Sequence, residues 1–416
     1  MNMSALAQVD RSFDVGAVRR QFPVLSRMVR GKPLAYLDNG ASAQRPISVI
    51  EAVNDYERHH HANIHRGVHT LSQEATALYE GARDRLARFI NARSRNEIIF
   101  VRGTTEAINL VTQSYARPLL KAGDEVLITH LEHHANIVPW QMVCEQTGAS
   151  LVVAPIDAQG EVQFDAVVAL MSPRTKILAC AHVSNALGTV LPVRRLVAAA
   201  KARGIVTLID GAQAISHMPI DVQDLGCDFY AFSSHKMYGP TGVGVLYGRE
   251  QLLDRMPPWQ GGGEMILAVT FAKTTYNALP NKFEAGTPNI SGGIGLGAAV
   301  DFLSNLDLAG AHAHEHALLQ YATSLLTRIP GLRIVGTAAD KASLVSFVVA
   351  GVHPHDLGTV LDEDGIAVRT GHHCAMPVME FFKLPATARA SFAFYNTFEE
   401  IDRLAAGIER ARKIFA

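Results

Sequence analysis

Lys236 stands among hydroxyl-bearing and glycine residues in Ser233-Ser234-His235-Lys236-Met237-Tyr238-Gly239-Pro240, directly after the apolar run Phe229-Tyr230-Ala231-Phe232. A strand that delivers a lysine to such a loop holds the amine at the edge of a packed sheet. Desolvation there lowers its pKa and leaves it nucleophilic, as Schiff-base chemistry requires. Upstream, Asp210 ends the apolar run Ile205-Val206-Thr207-Leu208-Ile209 and is followed by Gly211-Ala212-Gln213. A carboxylate at a strand end and a lysine further on form the pair that a pyridoxal phosphate site needs. One protonates the pyridine nitrogen and the other holds the aldehyde. A surface lysine after an ordinary strand is the bland alternative, and Asp210 argues against it.

Other polar clusters fall where open α/β sheets bind their ligands, beyond the carboxyl ends of strands. Thr104-Thr105 follows Ile98–Val101 and opens a helical pattern whose first turn holds Glu106. Hydroxyls and free backbone N–H groups at a helix N-terminus suit a phosphate, although an ordinary N-cap uses the same residue types. Ser233 and His235 flank the lysine and could donate to the same phosphate. His133, in Glu132-His133-His134-Ala135-Asn136, follows Val126–Thr129, and its imidazole could stack on an aromatic cofactor. Asn185 follows Lys176–Cys180 and could reach a substrate or cofactor oxygen.

Further along, Arg369-Thr370-Gly371-His372-His373-Cys374-Ala375 places a cysteine beside two histidines in a polar loop. A thiol there loses its proton more easily, and the thiolate is the reactive form; most lone cysteines are inert core residues. Arg389 heads the strand pattern Ala390-Ser391-Phe392-Ala393-Phe394, either as a solvated strand end or as a bidentate clamp for a substrate carboxylate. Phe283-Glu284-Ala285-Gly286-Thr287-Pro288-Asn289 is too polar and turn-rich for a core segment.

These groups need a frame. Helical periodicity marks 49–58, 73–91, 105–116 and 193–203, with a short helix near 15–21. Between the helices run short β-branched stretches at 98–101, 126–129, 151–154, 176–180, 205–209, 229–232 and 243–247. This alternation predicts a three-layer α/β domain with a mostly parallel sheet. After Gly297 the pattern changes to helices over 297–306 and 311–328, strands over 344–349, 367–369 and 390–394, and a last helix from about 399 to 414. That is a smaller α+β domain. The expected division is an N-terminal segment 1–30 packing on the small domain, a large domain 31–299 and a small domain 300–416, with the boundary inside the helix beginning at Gly293.

A chain of 416 residues with 48% hydrophobic and 19% charged residues can bury a large core in a soluble globular protein. A formal net charge of -1 points to neither nucleic acid nor an anionic membrane as partner. No apolar run reaches the ~18 residues needed to span a bilayer, and Met1–Gln21 lacks the apolar core of a signal peptide. Four widely spaced cysteines without a C-x-x-C pair suit a reducing cytosol and argue against a disulfide framework or a structural zinc site. Metal binding is not expected. His59-His60-His61 points in different directions on a helix, and His312, His314 and His316 cannot share one helical face. Gly293-Ile294-Gly295-Leu296-Gly297-Ala298 fits a loose dinucleotide pattern but follows no strand.

The segments Ser-Ser-His-Lys-Met-Tyr-Gly-Pro, Asp-Gly-Ala-Gln, Glu-His-His-Ala-Asn-Ile-Val-Pro-Trp and Arg-Thr-Gly-His-His-Cys-Ala together resemble the cysteine desulfurases. More narrowly they resemble the group II, SUF-type branch, whose members also show selenocysteine lyase activity. The likeness runs from Phe22-Pro23-Val24-Leu25 to the last helix. Lysine and aspartate alone would indicate only the class V aminotransferase-like superfamily. The Arg-Thr-Gly-His-His-Cys segment selects group II, since group I enzymes have a longer loop around their cysteine.

The resemblance implies a pyridoxal-phosphate-dependent transferase of fold type I. Lys236 would form the internal aldimine and move protons at the substrate carbons. Asp210 would pair with the pyridinium nitrogen, Gln213 would bond the ring hydroxyl oxygen, and His133 would stack on the ring and assist proton transfer. Thr105, Ser233 and His235 would bind the phosphate, joined by Thr287 from across a homodimer. Asn185 and Arg389 would hold the substrate carboxylate, and His65 and Arg369 match positions near the mouth of the site. Cys374 would be the nucleophile, taking sulfur from L-cysteine as a persulfide and leaving L-alanine. The sulfur would pass to a SufE- or SufU-like acceptor for iron–sulfur cluster assembly in the cytoplasm. Asn39, in Asp38-Asn39-Gly40-Ala41-Ser42, and a one-residue spacing change before Phe283 depart from the pattern. Selenocysteine lyase is the runner-up, followed by an aminotransferase or kynureninase-like hydrolase, which gives no reason for Cys374, and by a non-enzymatic scaffold.

Overall fold

The computed structural model describes residues 13–415. Of the N-terminal segment 1–30, residues 1–12 therefore lie outside the described residues. The main sheet has seven strands in the spatial order Ile98–Val101, Gly244–Gly248, Phe229–Ser233, Val206–Asp210, Thr175–Ala181, Glu125–Thr129, Ser150–Ala154. Only Gly244–Gly248 runs against its neighbours; the others share one direction. Most central strands are buried along their length, because helices cover both faces of a parallel sheet. The shared direction brings the ends of Ile98–Val101, Val206–Asp210 and Phe229–Ser233 to one edge. Thr104, Asp210 and Ser233 all emerge there.

The helix Ile290–Ser304 explains its own glycines. A Cβ on Gly293 would sit 2.6 Å from Tyr79, one on Gly295 2.5 Å from Pro240, and one on Gly297 2.6 Å from the Ala82 Cβ. The small residues let this helix lie against Thr70–Phe89, which accounts for the loose glycine motif without a nucleotide.

Past that helix, Leu308–Leu326, Pro354–Glu363 and Phe398–Ile414 pack around an antiparallel sheet ordered Leu332–Val335, Leu344–Val349, Thr387–Ser391, Arg369–Gly371. The last helix begins with a capping box, Thr397 and Glu400, and Arg19 adds an ion pair to Glu400 at 2.7 Å. Ala35 and Leu37, early in the chain, belong to the core of this C-terminal unit. Phe22 packs against Tyr238 and Tyr395, so the start of the described chain touches both units.

Two strand expectations are corrected. The run at 367–369 divides: Ile366–Ala367 pairs in parallel with Ala35–Tyr36, whereas Arg369–Gly371 joins the C-terminal sheet beside Thr387–Ser391. The strand expected at 390–394 is Thr387–Ser391, which puts Arg389 at its centre and not at its head. A buried arginine is tolerated mid-strand because tertiary partners take its charge and protons, and no local pattern reveals them. Among the described residues no helix is long and apolar enough to cross a membrane.

Candidate active site

Phe229–Ser233 is buried throughout and ends in the tight turn Ser234–Lys236. That turn is closed by Met237 N–H and Gly239 N–H, which donate to the Ser234 carbonyl at 2.9 and 3.0 Å. A Cβ at Gly239 would sit 2.1 Å from Ser234 Oγ, so a larger residue there must displace that hydroxyl. The Lys236 side chain enters a cavity beyond the sheet edge. Burial pushes its amine down to about 8, while Asp210 pulls the other way.

Asp210 is buried at the strand end, and its Oδ1 accepts from Ala212 N–H at 2.9 Å. Burial raises its pKa, and Lys236 only partly offsets that. His133 lines the same cavity. Its Nδ1 accepts from Ala135 N–H at 3.0 Å, so a neutral ring carries its proton on Nε2. Burial, then Lys236, holds that imidazole near 4 and therefore neutral at neutral pH. His235, lowered to about 4 by burial and Lys236, is neutral for the same reasons.

The helix Thr104–Val111 has no side-chain cap at its N-terminus. Thr104 spends its backbone N–H and its hydroxyl on Ser233 Oγ, both at 2.8 Å. Ser233 thus ties two strand ends together, while Thr105 is exposed at the helix start. Gln213 Nε2 donates to Gly40 O at 2.7 Å, fixing the amide against the loop 38–42.

The opposite wall comes from the C-terminal unit. Arg389 Nη1 donates to Asn185 O at 2.7 Å and Nη2 to Asp38 Oδ1 at 3.3 Å. Its Nε is buried without a partner among the described residues. Asn185 Nδ2 in turn donates to His373 O at 2.6 Å. Cys374 lines the cavity with Lys236, Asp210 and Arg389. His134 N–H donates to the Cys374 carbonyl at 2.8 Å, and Met376 N–H donates to His134 Nε2 at 3.1 Å. The turn carrying His133 therefore also holds the cysteine loop.

His373 does not act as a cation beside Cys374. Burial, reinforced by Arg389 and Arg369, drives it down to about 3. The positive charges lining this wall are guanidiniums.

Lys236, His133, Asp210, Gln213, Thr105, Ser233, His235, Asn185, Arg369, Arg389 and Cys374 thus meet around one cavity. His65 and Thr287 do not join them within the chain. His65 is bonded to Glu80 at 2.9 Å and Glu264 at 3.0 Å. Thr287 lines a second cavity with Arg102 and Trp259. Asp38 was missed by sequence reasoning; its only local signal is a short polar run after buried Leu37.

An aminotransferase class-V family model matches residues 35–404. A cysteine desulfurase of Synechococcus elongatus is 51% identical over 398 residues, 96% of this chain and 64% of that protein. One of Klebsiella pneumoniae is 53% identical over 404 residues, covering 97% of this chain and 99% of that protein. The chain spans about six tenths of the length of the first two curated relatives it matches and nearly all of several others. The crystal structure of the Escherichia coli cysteine desulfurase CsdA, in an S-sulfonic acid form, superposes with a TM-score of 0.91 at 43% identity, over 98% of this chain and 100% of that one. The chain belongs to the aminotransferase class-V family, in the part of it occupied by the cysteine desulfurases.

Proposed function

We propose that this chain is a pyridoxal-phosphate-dependent cysteine desulfurase of group II, converting L-cysteine to L-alanine and leaving the sulfur as a persulfide on Cys374. The observation that carries the reading is the meeting of Cys374, Lys236, Asp210 and Arg389 around one cavity.

The residues present fit the cofactor. Asp210 is a buried carboxylate held above its usual range for want of sufficient countercharge, which a protonated pyridine nitrogen supplies. Lys236, with its lowered pKa, is suited to hold the aldehyde covalently. Thr105, His235 and the uncapped helix start suit the phosphate, with Ser233 bracing that corner through Thr104. Gln213 and His133 would flank the ring, and Thr287 would reach the phosphate from the partner in a homodimer. When bound, pyridoxal phosphate supplies an electron sink for the carbon skeleton of an amino acid.

The chain's own groups divide the remaining work. Arg389 has a buried Nε with no partner and, with Asn185, would bind the substrate carboxylate. Arg369 would add positive charge at the mouth, whereas His65, held by Glu80 and Glu264 outside the cavity, has no part in it within the chain. Lys236, close to half deprotonated at mildly alkaline pH, would take the proton from the substrate's Cα. The Cys374 thiolate would attack the substrate sulfur. The new S–S bond forms as the C–S bond breaks, and the bonding electrons return to the carbon skeleton. Lys236 and His133, which line the same cavity, would move the proton that completes L-alanine.

The persulfide sulfur would pass to a SufE- or SufU-like protein for iron–sulfur cluster assembly. A cytoplasmic setting suits four cysteines that are all free thiols. The test is to incubate the protein with L-cysteine, assay alanine, and locate added sulfur by intact mass, with Cys374→Ala as control. Alanine release by that variant at the wild-type rate would overturn the mechanism.

A further inference from the structure

We infer that Glu132 is a positioning residue for the proposed reaction: its buried carboxylate anchors the one turn that presents His133 to the cavity and holds the Cys374 loop, so that a single acceptor places both groups. The inference rests on the reading of His133 and Cys374 as working groups of the site.

Glu132 is fully buried. Its Oε1 accepts from the Thr129 hydroxyl at 2.5 Å and from Ala181 N–H at 3.1 Å, so one oxygen joins the ends of two neighbouring strands. Its Oε2 accepts from Asn136 Nδ2 at 2.6 Å, and Asn136 Oδ1 accepts from the indole N–H of Trp140 at 2.8 Å. The carboxylate therefore ties the turn His134–Asn136 to both strands and, through Asn136, to the helix Val138–Thr147. The same segment carries the cysteine loop. Besides the His134 bonds to Cys374 and Met376, His130 Nε2 donates to Pro377 O at 3.0 Å.

Stability alone does not explain a carboxylate at this position. Burial pushes Glu132 up to about 7, its three hydrogen bonds pull the other way, and Asp210 adds a smaller push. None of its hydrogen-bond donors is charged. Burying a carboxylate without a cation is costly, and on that ground an amide of the same shape would suit the core better. Hydrogen-bond polarity rules the amide out. An indole N–H can only donate, so it holds Asn136 Oδ1 toward Trp140 and turns the Asn136 NH2 toward Glu132. Either orientation of an amide in place of the carboxylate sets its own NH2 against a donor, Asn136 Nδ2 or Ala181 N–H. The carboxylate's Oε2 accepts whether or not a proton sits on Oε1.

Glu132→Gln therefore breaks the anchor at nearly constant volume. Glu132→Gln/Asn136→Asp restores it by moving the carboxylate one step along the chain of bonds, where it accepts from both the new amide and Trp140. Wild type and both variants are compared as holoenzymes by the rate of Cys374 alkylation with iodoacetamide, by kcat and KM for alanine release from L-cysteine, and by Tm.

An unmet buried donor shifts an equilibrium by on the order of tenfold, so Glu132→Gln should alkylate at Cys374 about tenfold faster. Its kcat should fall about 10- to 100-fold, the scale for a displaced reacting group, with KM changed less than about threefold because Arg389 is untouched. The double variant should return both rates to within about threefold of wild type. Unchanged alkylation in Glu132→Gln, whatever its kcat or Tm, overturns the inference. So does a folded double variant that stays as reactive and as slow as the single one. If Glu132→Gln does not fold, the double variant decides alone, and a departure of about tenfold from wild type in either rate overturns the anchor. Alkylation needs no turnover. Absence of alanine release from wild type would overturn the desulfurase reading and leave the alkylation rates to decide whether Glu132 anchors Cys374.

Discussion

Lys236 reaches the cavity from the end of a five-residue strand buried throughout, whereas Cys374 reaches it from a loop where His373 and Cys374 both have φ of 53°. Left-handed conformations cost non-glycine residues about 1–3 kcal/mol each, so two in succession persist only where surroundings hold them. The holding groups are two bonds from elsewhere in the fold, His134 N–H to Cys374 O and Asn185 Nδ2 to His373 O, and one within the loop, His372 Nδ1 accepting from Cys374 N–H at 3.1 Å. The lysine needs a dry, fixed setting, because desolvation is what lowers its pKa. The cysteine, on the proposed function, must hand its sulfur on, and a loop held by a few opposable bonds can release it.

The sharpest break between the two halves is chemical. Lys236→Ala and Cys374→Ala should each lower alanine release at least ~10³-fold, the scale for loss of a group essential to proton transfer or attack. Only Cys374→Ala should still have the cofactor fixed to the chain by borohydride reduction. If Lys236→Ala also retained it, the division of labour would be wrong.

Next in size is the substrate clamp on the cysteine side. Arg389→Lys keeps the charge but loses the planar fork. A charge-assisted bond is worth roughly 1.5–3 kcal/mol, so KM for cysteine should rise about 10- to 100-fold. A fall in kcat with KM unchanged would place Arg389 in the chemical step instead.

Acid should strike the cysteine wall through His373. Its folded pKa of about 3 lies below the unfolded value near 6.5. The unfolded chain therefore binds the proton first, and stability is lost as pH falls from about 6.5 toward 3. The share of this one residue is roughly 4–5 kcal/mol at the acid end. The Tm of His373→Gln should therefore fall less between neutral pH and the acid side of that window than the wild-type Tm does. Parallel Tm curves would show that His373 is not the acid-labile group.

The smallest effect belongs to the lysine side. Gly239→Ala pushes a methyl onto Ser234 Oγ, and overpacking of this kind costs about 1–3 kcal/mol. Thermal denaturation should show the loss, together with a shift in the lysine's pKa as the turn moves. A variant as stable as wild type would mean that the turn is looser than its packing implies.

The lysine half was legible in the sequence because it is local. A buried strand, a turn and a strand-end aspartate lie close along the chain, and each follows from apolar runs and breakers. The same logic gave the main sheet, the glycine-rich helix as something other than a nucleotide site, and the last helix. The cysteine half was legible only through a family motif. Its geometry was not: Arg389 was expected to head a strand and lies at the centre of one, 351 positions from the Asp38 it bonds. Nor did the sequence reveal that His373 is buried and neutral, since burial of a loop residue depends on what packs over it.

By itself the sequence determined which side chains are present to do chemistry and the strand-and-helix alternation that carries Lys236 and Asp210 to one edge. Periodicity and chain direction act over a few residues and leave a pattern. Only the tertiary structure decided that Asp38, Asn185, His134 and the Cys374 loop converge on that edge, and that His65 and Thr287 stay outside it. Those placements rest on hydrogen bonds and desolvation between distant segments, and neither exists until the two units are packed together.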